Sequence, residues 1–116
     1  MAAAHDYGLG LINLITLKAK MYVITVLFSL LSAHRAAFLQ AVTRNAATSL
    51  ADEVGCIQFD VCTSNSNPCD VLLYEVYDSK AAFDVHLASS HFLSFNAQTS
   101  AWVTAKLVNA FERVLP

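Results

Sequence analysis

"CIQFDVCTSNSNPCDVLLYEVYD", residues 56–78, decides the fold. Its first part alternates: Ile57, Phe59 and Val61 on one parity, Gln58, Asp60 and Cys62 on the other. Strand side chains point to opposite faces with period two, so this is a half-buried strand. "NSNP" at 65–68 then supplies turn-forming residues. The last part alternates again, with Leu72, Tyr74 and Val76 against Leu73, Glu75 and Tyr77. Two such strands joined by a short turn form an antiparallel hairpin.

Upstream, "MYVITVLFSL" (21–30) is apolar on both parities and rich in β-branched and aromatic residues. That is the pattern of a central strand covered on both faces. Ser32 is placed to cap a helix over residues 33–52, and Gly55 stands near its end. Downstream, Ser79 caps a short helix to about Leu87. "ASS" at 88–90 interrupts it and starts a second helix to about Trp102. "VTAKLVNAFERV" (103–114) alternates and closes the chain with a strand. The order β-α-β-β-α-β, with right-handed crossovers, predicts an α+β ferredoxin-like sandwich: a four-stranded antiparallel sheet with helices on one face.

The totals fit this picture. A chain of 116 residues holds one domain. Hydrophobic residues make up 56% and charged residues 14%, which excludes a disordered chain. Small domains have much surface for their volume. With apolar residues on both strand parities, the uncovered sheet face is expected to meet that of a second copy. The result is a homodimer in the form of a dimeric α+β barrel. The formal net charge is −2 and no block of Lys or Arg appears, so a nucleic-acid partner is not expected. Cys56, Cys62 and Cys69 include no CxxC pair and read as reduced thiols, as in a cytoplasmic protein. "LGLINLITL" is too short to span a bilayer, and "MAAAHDYG" lacks the basic region of a secretory signal. Residues 1–20 are therefore read as an extension, with a short helix as its expected form, and residues 21–116 as the domain.

Some polar residues fall where apolar ones belong. With Phe38 at 0° on its helix, Val42 lies at about 40°, Asn45 at about −20° and Ser49 at about 20°. An unpartnered buried amide costs about 1–3 kcal/mol, so Asn45 must meet main chain, water or a ligand. "AAFDVHLASSHFLSF" (81–95) carries two histidines. With His91 at 0°, Phe95 lies at about 40° and Trp102 at about 20°, an aromatic stripe facing the core. His86 lies about 60° from Phe83, at the edge of the apolar face. On one continuous helix the two imidazoles would stand about 140° apart, unlike an i, i+4 ligand pair. No carboxylate stands at ligand spacing beside them, so no metal is expected. Each histidine is then a core residue or a general base.

Three stretches carry a family resemblance: E-x-G-C at 53–56, Y-E-x-Y at 74–77, and A-F-x-x-H-x-x-S-x-H-F at 82–92. From residue 21 to about 115 the chain resembles the antibiotic biosynthesis monooxygenases, small dimeric α+β barrels. The resemblance implies several activities: oxygenation of quinols or polyketide anthrones without a cofactor, haem degradation, or isomerisation of the phosphorylated autoinducer-2 signal. Tyr77 stands where many relatives have Trp, and "MYVITVLF" lacks the Asn of the haem-degrading branch. The leading expectation is a cofactor-independent monooxygenase acting on a quinol-like or polycyclic aromatic substrate. His91 or His86 would be its base. Asn45 and Tyr77 would orient the oxyanion, with Glu75 behind them, and Phe59, Phe83 and Phe95 would line the cavity. The alternatives are the isomerase and a non-enzymatic dimer that binds a small apolar ligand.

Overall fold

The computed structural model describes residues 21–115, so the extension at residues 1–20 lies outside the described residues. The elements run β1 (Tyr22–Leu30), α1 (Arg35–Asp52), β2 (Cys56–Thr63), β3 (Asp70–Tyr77), α2 (Lys80–Ala88), α3 (Ser90–Thr99) and β4 (Val103–Glu112). Every neighbouring pair in the sheet is antiparallel, in the order β2-β3-β1-β4. This is the expected ferredoxin-like sandwich, with its second helix split in two.

Two boundaries differ from the sequence reading. Ser32 does not cap α1. The Leu31 amide is held by the Trp102 carbonyl, and Ser32–His34 wind through a 3₁₀ turn before the helix begins. The helix expected to run to Trp102 ends at Thr99, and Ser100–Trp102 form another 3₁₀ turn. Trp102 stacks on His34 there, with ring centroids 5.2 Å apart.

The core lies between the helices and one sheet face. Ile24, Val26, Phe28 and Leu30 alternate inward from β1, beside Val71 and Leu73 of β3. Over them, α1 lays down Phe38, Ala41, Val42 and Ala46. Phe28, Phe38 and Phe95 meet edge-on, with centroids 5.0–6.5 Å apart, a favoured geometry for aromatic groups. Glu75 and Tyr77 share the parity of Leu73, so both are under the helices. The opposite face leaves Leu27 and Leu72 at about 40% exposure, Leu107 at 57% and Phe111 at 53%. Among the described residues, no helix is long and apolar enough to cross a membrane.

Candidate functional site

The site grows from the end of α1. Asn45, Ser49 and Glu53 are spaced by four residues, so they form one row down the helix face that meets α2 and α3. Asn45 and Ser49 are buried, as their wheel positions require. Glu53 follows the last helical residue and turns inward, its side chain only 6% exposed. Gly55 makes this turn possible by close approach. A Cβ there would stand 2.5 Å from the Cβ of Ala82 on α2.

The histidines come from two helices, not one. Ser89 adopts an extended conformation (φ −71°, ψ 148°) between α2 and α3, and its hydroxyl accepts from the Phe92 amide. That break re-aims His91, so the ring centroids of His86 and His91 lie 5.9 Å apart. Both rings reach one carboxylate oxygen: Glu53 Oε2 is 2.8 Å from His86 Nδ1 and 2.5 Å from His91 Nε2. The sequence reading found no carboxylate at ligand spacing beside the histidines. The fold brings one from more than thirty residues away.

The hydrogen-bond accounting assigns the protons. Ser49 Oγ donates to the Asn45 carbonyl at 2.8 Å and stands 3.4 Å from His86 Nδ1. Ser89 Oγ donates to the His86 carbonyl at 2.7 Å and stands 3.2 Å from His91 Nε2. Both hydroxyl protons are thus spent, so both ring nitrogens act as donors. Two N–H groups converge on Glu53 Oε2, while Oε1 is buried without a partner. With Nδ1 donating, the neutral His86 ring carries its lone pair on Nε2. Burial holds the His86 pKa below its ordinary value, against the pull of Glu53. His86 is therefore mainly neutral at pH 7, with Nε2 as its proton-accepting nitrogen.

His86 lines a cavity of about 230 Å³ beneath the helices. Asn45, Phe59, Glu75, Phe83 and Phe95 line it too, six of the eight expected site residues in all. The Asn45 side-chain oxygen is buried with no donor. Glu75 is buried, and desolvation lifts its pKa to about 7, against the hydrogen bond from Tyr77. Tyr77 stands outside the cavity lining, and its hydroxyl donates to Glu75 Oε1 at 2.6 Å. Burial raises the tyrosine pKa, so it remains a hydrogen-bond donor. His91 borders a second groove of about 110 Å³ on the helical side, which shares Asn45 and Phe95 with the cavity. Burial pushes the Cys56 thiol up to about 12, so it offers no thiolate.

Glu53, His86 and His91 are also the described residues whose ligand atoms cluster as a metal site would, within 4.8 Å of one another. Two ligands at right angles on one ion at ~2.1 Å stand about 3 Å apart. The carboxylate-to-ring separations are shorter than that and match charge-assisted hydrogen bonds.

Glu53, and Lys106, which also lines the cavity, were missed from sequence as site residues. Glu53 was visible within E-x-G-C and four residues beyond Ser49. Lys106 was visible as the one basic residue on the parity of Val108 and Ala110.

The fold and site define a ferredoxin-like α+β protein with an apolar cavity beneath its helices and a carboxylate-held histidine on the cavity wall. The chain belongs to the antibiotic biosynthesis monooxygenase family, whose model matches residues 21–98. A Nitrosomonas europaea protein described as a "putative antibiotic biosynthesis monooxygenase" is similar in structure, with TM-score 0.81 and 25% identity over 84% of this chain and 94% of that one. Rv0793 from Mycobacterium tuberculosis (TM-score 0.73, 24% identity, 78% and 92% covered) and SO0527 from Shewanella oneidensis (TM-score 0.77, 22% identity, 84% and 95% covered) share the fold. No curated protein matches the chain.

Proposed function

We propose that the protein is a cofactor-independent monooxygenase that oxidises a quinol-like or polycyclic aromatic substrate with dioxygen. One observation carries this reading: His86, its Nδ1 held by Glu53, lines the same carbon-walled cavity as Asn45 and Glu75. His86 Nε2 takes a proton from an activated ring position, such as the CH₂ of an anthrone. The Asn45 side-chain N–H₂ and the protonated form of Glu75 are the donors to the oxygen that receives the charge. The carbanion passes one electron to dioxygen, and recombination forms the C–O bond of a peroxide. Loss of the second C–H proton and cleavage of the O–O bond give a ketone. The balance is CH₂ + O₂ → C=O + H₂O, and His86 returns its proton to the leaving oxygen. The apolar wall keeps water from the carbanion. His91 supports the base through Glu53.

The isomerase reading has less support. Lys80 is paired with Asp84 at 3.2 Å, Arg35 donates to the Pro68 carbonyl, and Arg44 borders the other groove. None of the three lines the cavity, where Lys106 is the one Lys or Arg among the described residues. The exposed leucines and Phe111 of the open sheet face support a homodimer.

The test is oxygen uptake with a panel of anthrones and quinols, using chelator-treated, flavin-free protein. Turnover with one ketone formed per dioxygen consumed is expected. No uptake across the panel, or uptake only after metal or flavin is added, overturns the proposal.

A further inference from the structure

Glu53 is a buried carboxylate without a permanent cation. Its side chain is 6% exposed, and among the described residues neither Lys nor Arg pairs with it. An ionised carboxylate can accept about four hydrogen bonds. Glu53 receives two, both on Oε2 and both from imidazoles, while Oε1 has no partner. A buried anion so thinly partnered is costly to hold. His86 Nδ1 and His91 Nε2 are nitrogens that ligate metal once their protons leave, and the three ligand atoms lie within 4.8 Å of one another. The separation of about 140° between the rings holds for one continuous helix, and the break at Ser89 removes that bar.

We propose that Glu53, His86 and His91 form a zinc site that switches the base off. The hydrogen-bonded arrangement is the proton-loaded state of this site, and zinc replaces the two protons at Oε2. Ligand atoms at ~2.1 Å from one ion stand about 3.0–3.4 Å apart, so the contacts of 2.8 and 2.5 Å open by less than ~1 Å. His91 has room for that shift, because its side chain is 18% exposed and it borders the groove of about 110 Å³. Three protein ligands and one open position suit four-coordinate zinc. Iron(II) on the same donors keeps more positions open. Ser49 Oγ and Ser89 Oγ crowd that space, at 3.4 and 3.2 Å from the ring nitrogens. Neutral rings gain and lose no proton overall. Each ligating nitrogen gives its lone pair to zinc, and its proton moves to the other nitrogen of the same ring. His86 Nε2, the base of the proposed reaction, then carries a proton and accepts none. Zinc binding stands without the monooxygenase reading, whereas the loss of oxygen uptake rests on it.

The test is titration of chelator-treated protein with Co²⁺, followed by Zn²⁺ in competition. One ion per chain is expected, with the visible absorption of nitrogen-ligated Co²⁺, which zinc abolishes. His91→Ala, at the partly exposed ligand, is expected to weaken zinc binding about 100-fold or more, since losing even an outer partner of a metal ligand costs about 10–100-fold. His34→Ala and Cys62→Ser, outside the cluster, are expected to keep full affinity. ¹⁵N spectra of the imidazoles, which need no turnover, are expected to show the His86 proton moving from Nδ1 to Nε2 when zinc binds. Zinc is expected to stop oxygen uptake, and chelator to restore it. No binding, affinity unchanged in His91→Ala, or affinity lost in His34→Ala or Cys62→Ser overturns the zinc site. Zinc seated on the three residues with oxygen uptake unchanged overturns the switch. Protein that takes up oxygen yet binds no zinc fails this inference alone. Protein that binds zinc there yet never takes up oxygen fails the monooxygenase reading alone.

Discussion

Glu53 is the residue on which the site turns. Its Oε2 takes two ring N–H bonds and so fixes which nitrogen of His86 can act as a base. Glu53→Gln keeps the size but presents an amide that can donate to His86 Nδ1 and stabilise the wrong tautomer. By analogy with carboxylate-to-amide changes beside catalytic histidines, kcat should fall on the order of 100-fold or more. Substrate binding should change little. Steady-state kinetics read this, and a wild-type kcat would free His86 from Glu53. Glu75 makes a different prediction. Its pKa is about 7 in the fold and 4.5 as a free group, so the native state holds the proton more tightly. Its contribution to stability is present below pH 4.5 and is lost as pH rises toward 7. The loss is on the order of 3 kcal/mol at ~1.4 kcal/mol per pH unit. Urea unfolding across that range should show the decline in wild type and a flatter profile in Glu75→Gln. An identical slope in both would contradict the assignment.

At the scale of elements, the hairpin, the crossover order and the inward row of α1 were legible in the sequence. They rest on period-two and 3.6-residue patterns that local chemistry sets. The Asn45 and Ser49 positions came out of the same arithmetic. The histidine geometry did not, because Ser89 breaks the helix and helical angles do not carry across a break. Glu53 also escaped, since a charged residue at a helix end is ordinarily solvated. Only the approach of α2 to Gly55 closes the space around it. That approach is testable. Gly55→Ala places a Cβ against Ala82 and should cost about 1–3 kcal/mol, the usual price of overpacking. Adding Ala82→Gly should recover most of that loss. Chemical denaturation of the two single variants and the double variant measures this. Additive losses would show that the close contact is not the cause.

At the scale of the whole molecule, the helices among the described residues cover one sheet face and not the other. Val23 and Val76 are buried on the open face, but Leu107 and Phe111 remain about half exposed. So much apolar surface on so small a chain calls for a partner, and a second copy presents the matching face. Sedimentation should give a dimer for wild type. Leu107→Asp should give a folded monomer, because that side chain makes no demand on the internal core. A monomeric wild type, or a dimer untouched by the charge, would contradict this use of the face. Composition made the dimer an expectation, while pairing alone could not say which parity faced the helices.

The most direct test of the central claim is the pH dependence of kcat/KM for oxygen uptake with an anthrone, in wild type and in His86→Asn. Because burial lowers the His86 pKa, the acid limb of the wild-type profile should lie below pH 6.5, the ordinary imidazole value. The variant should lose that limb together with most of the rate. A variant that keeps the wild-type rate and the same limb would show that His86 is not the base.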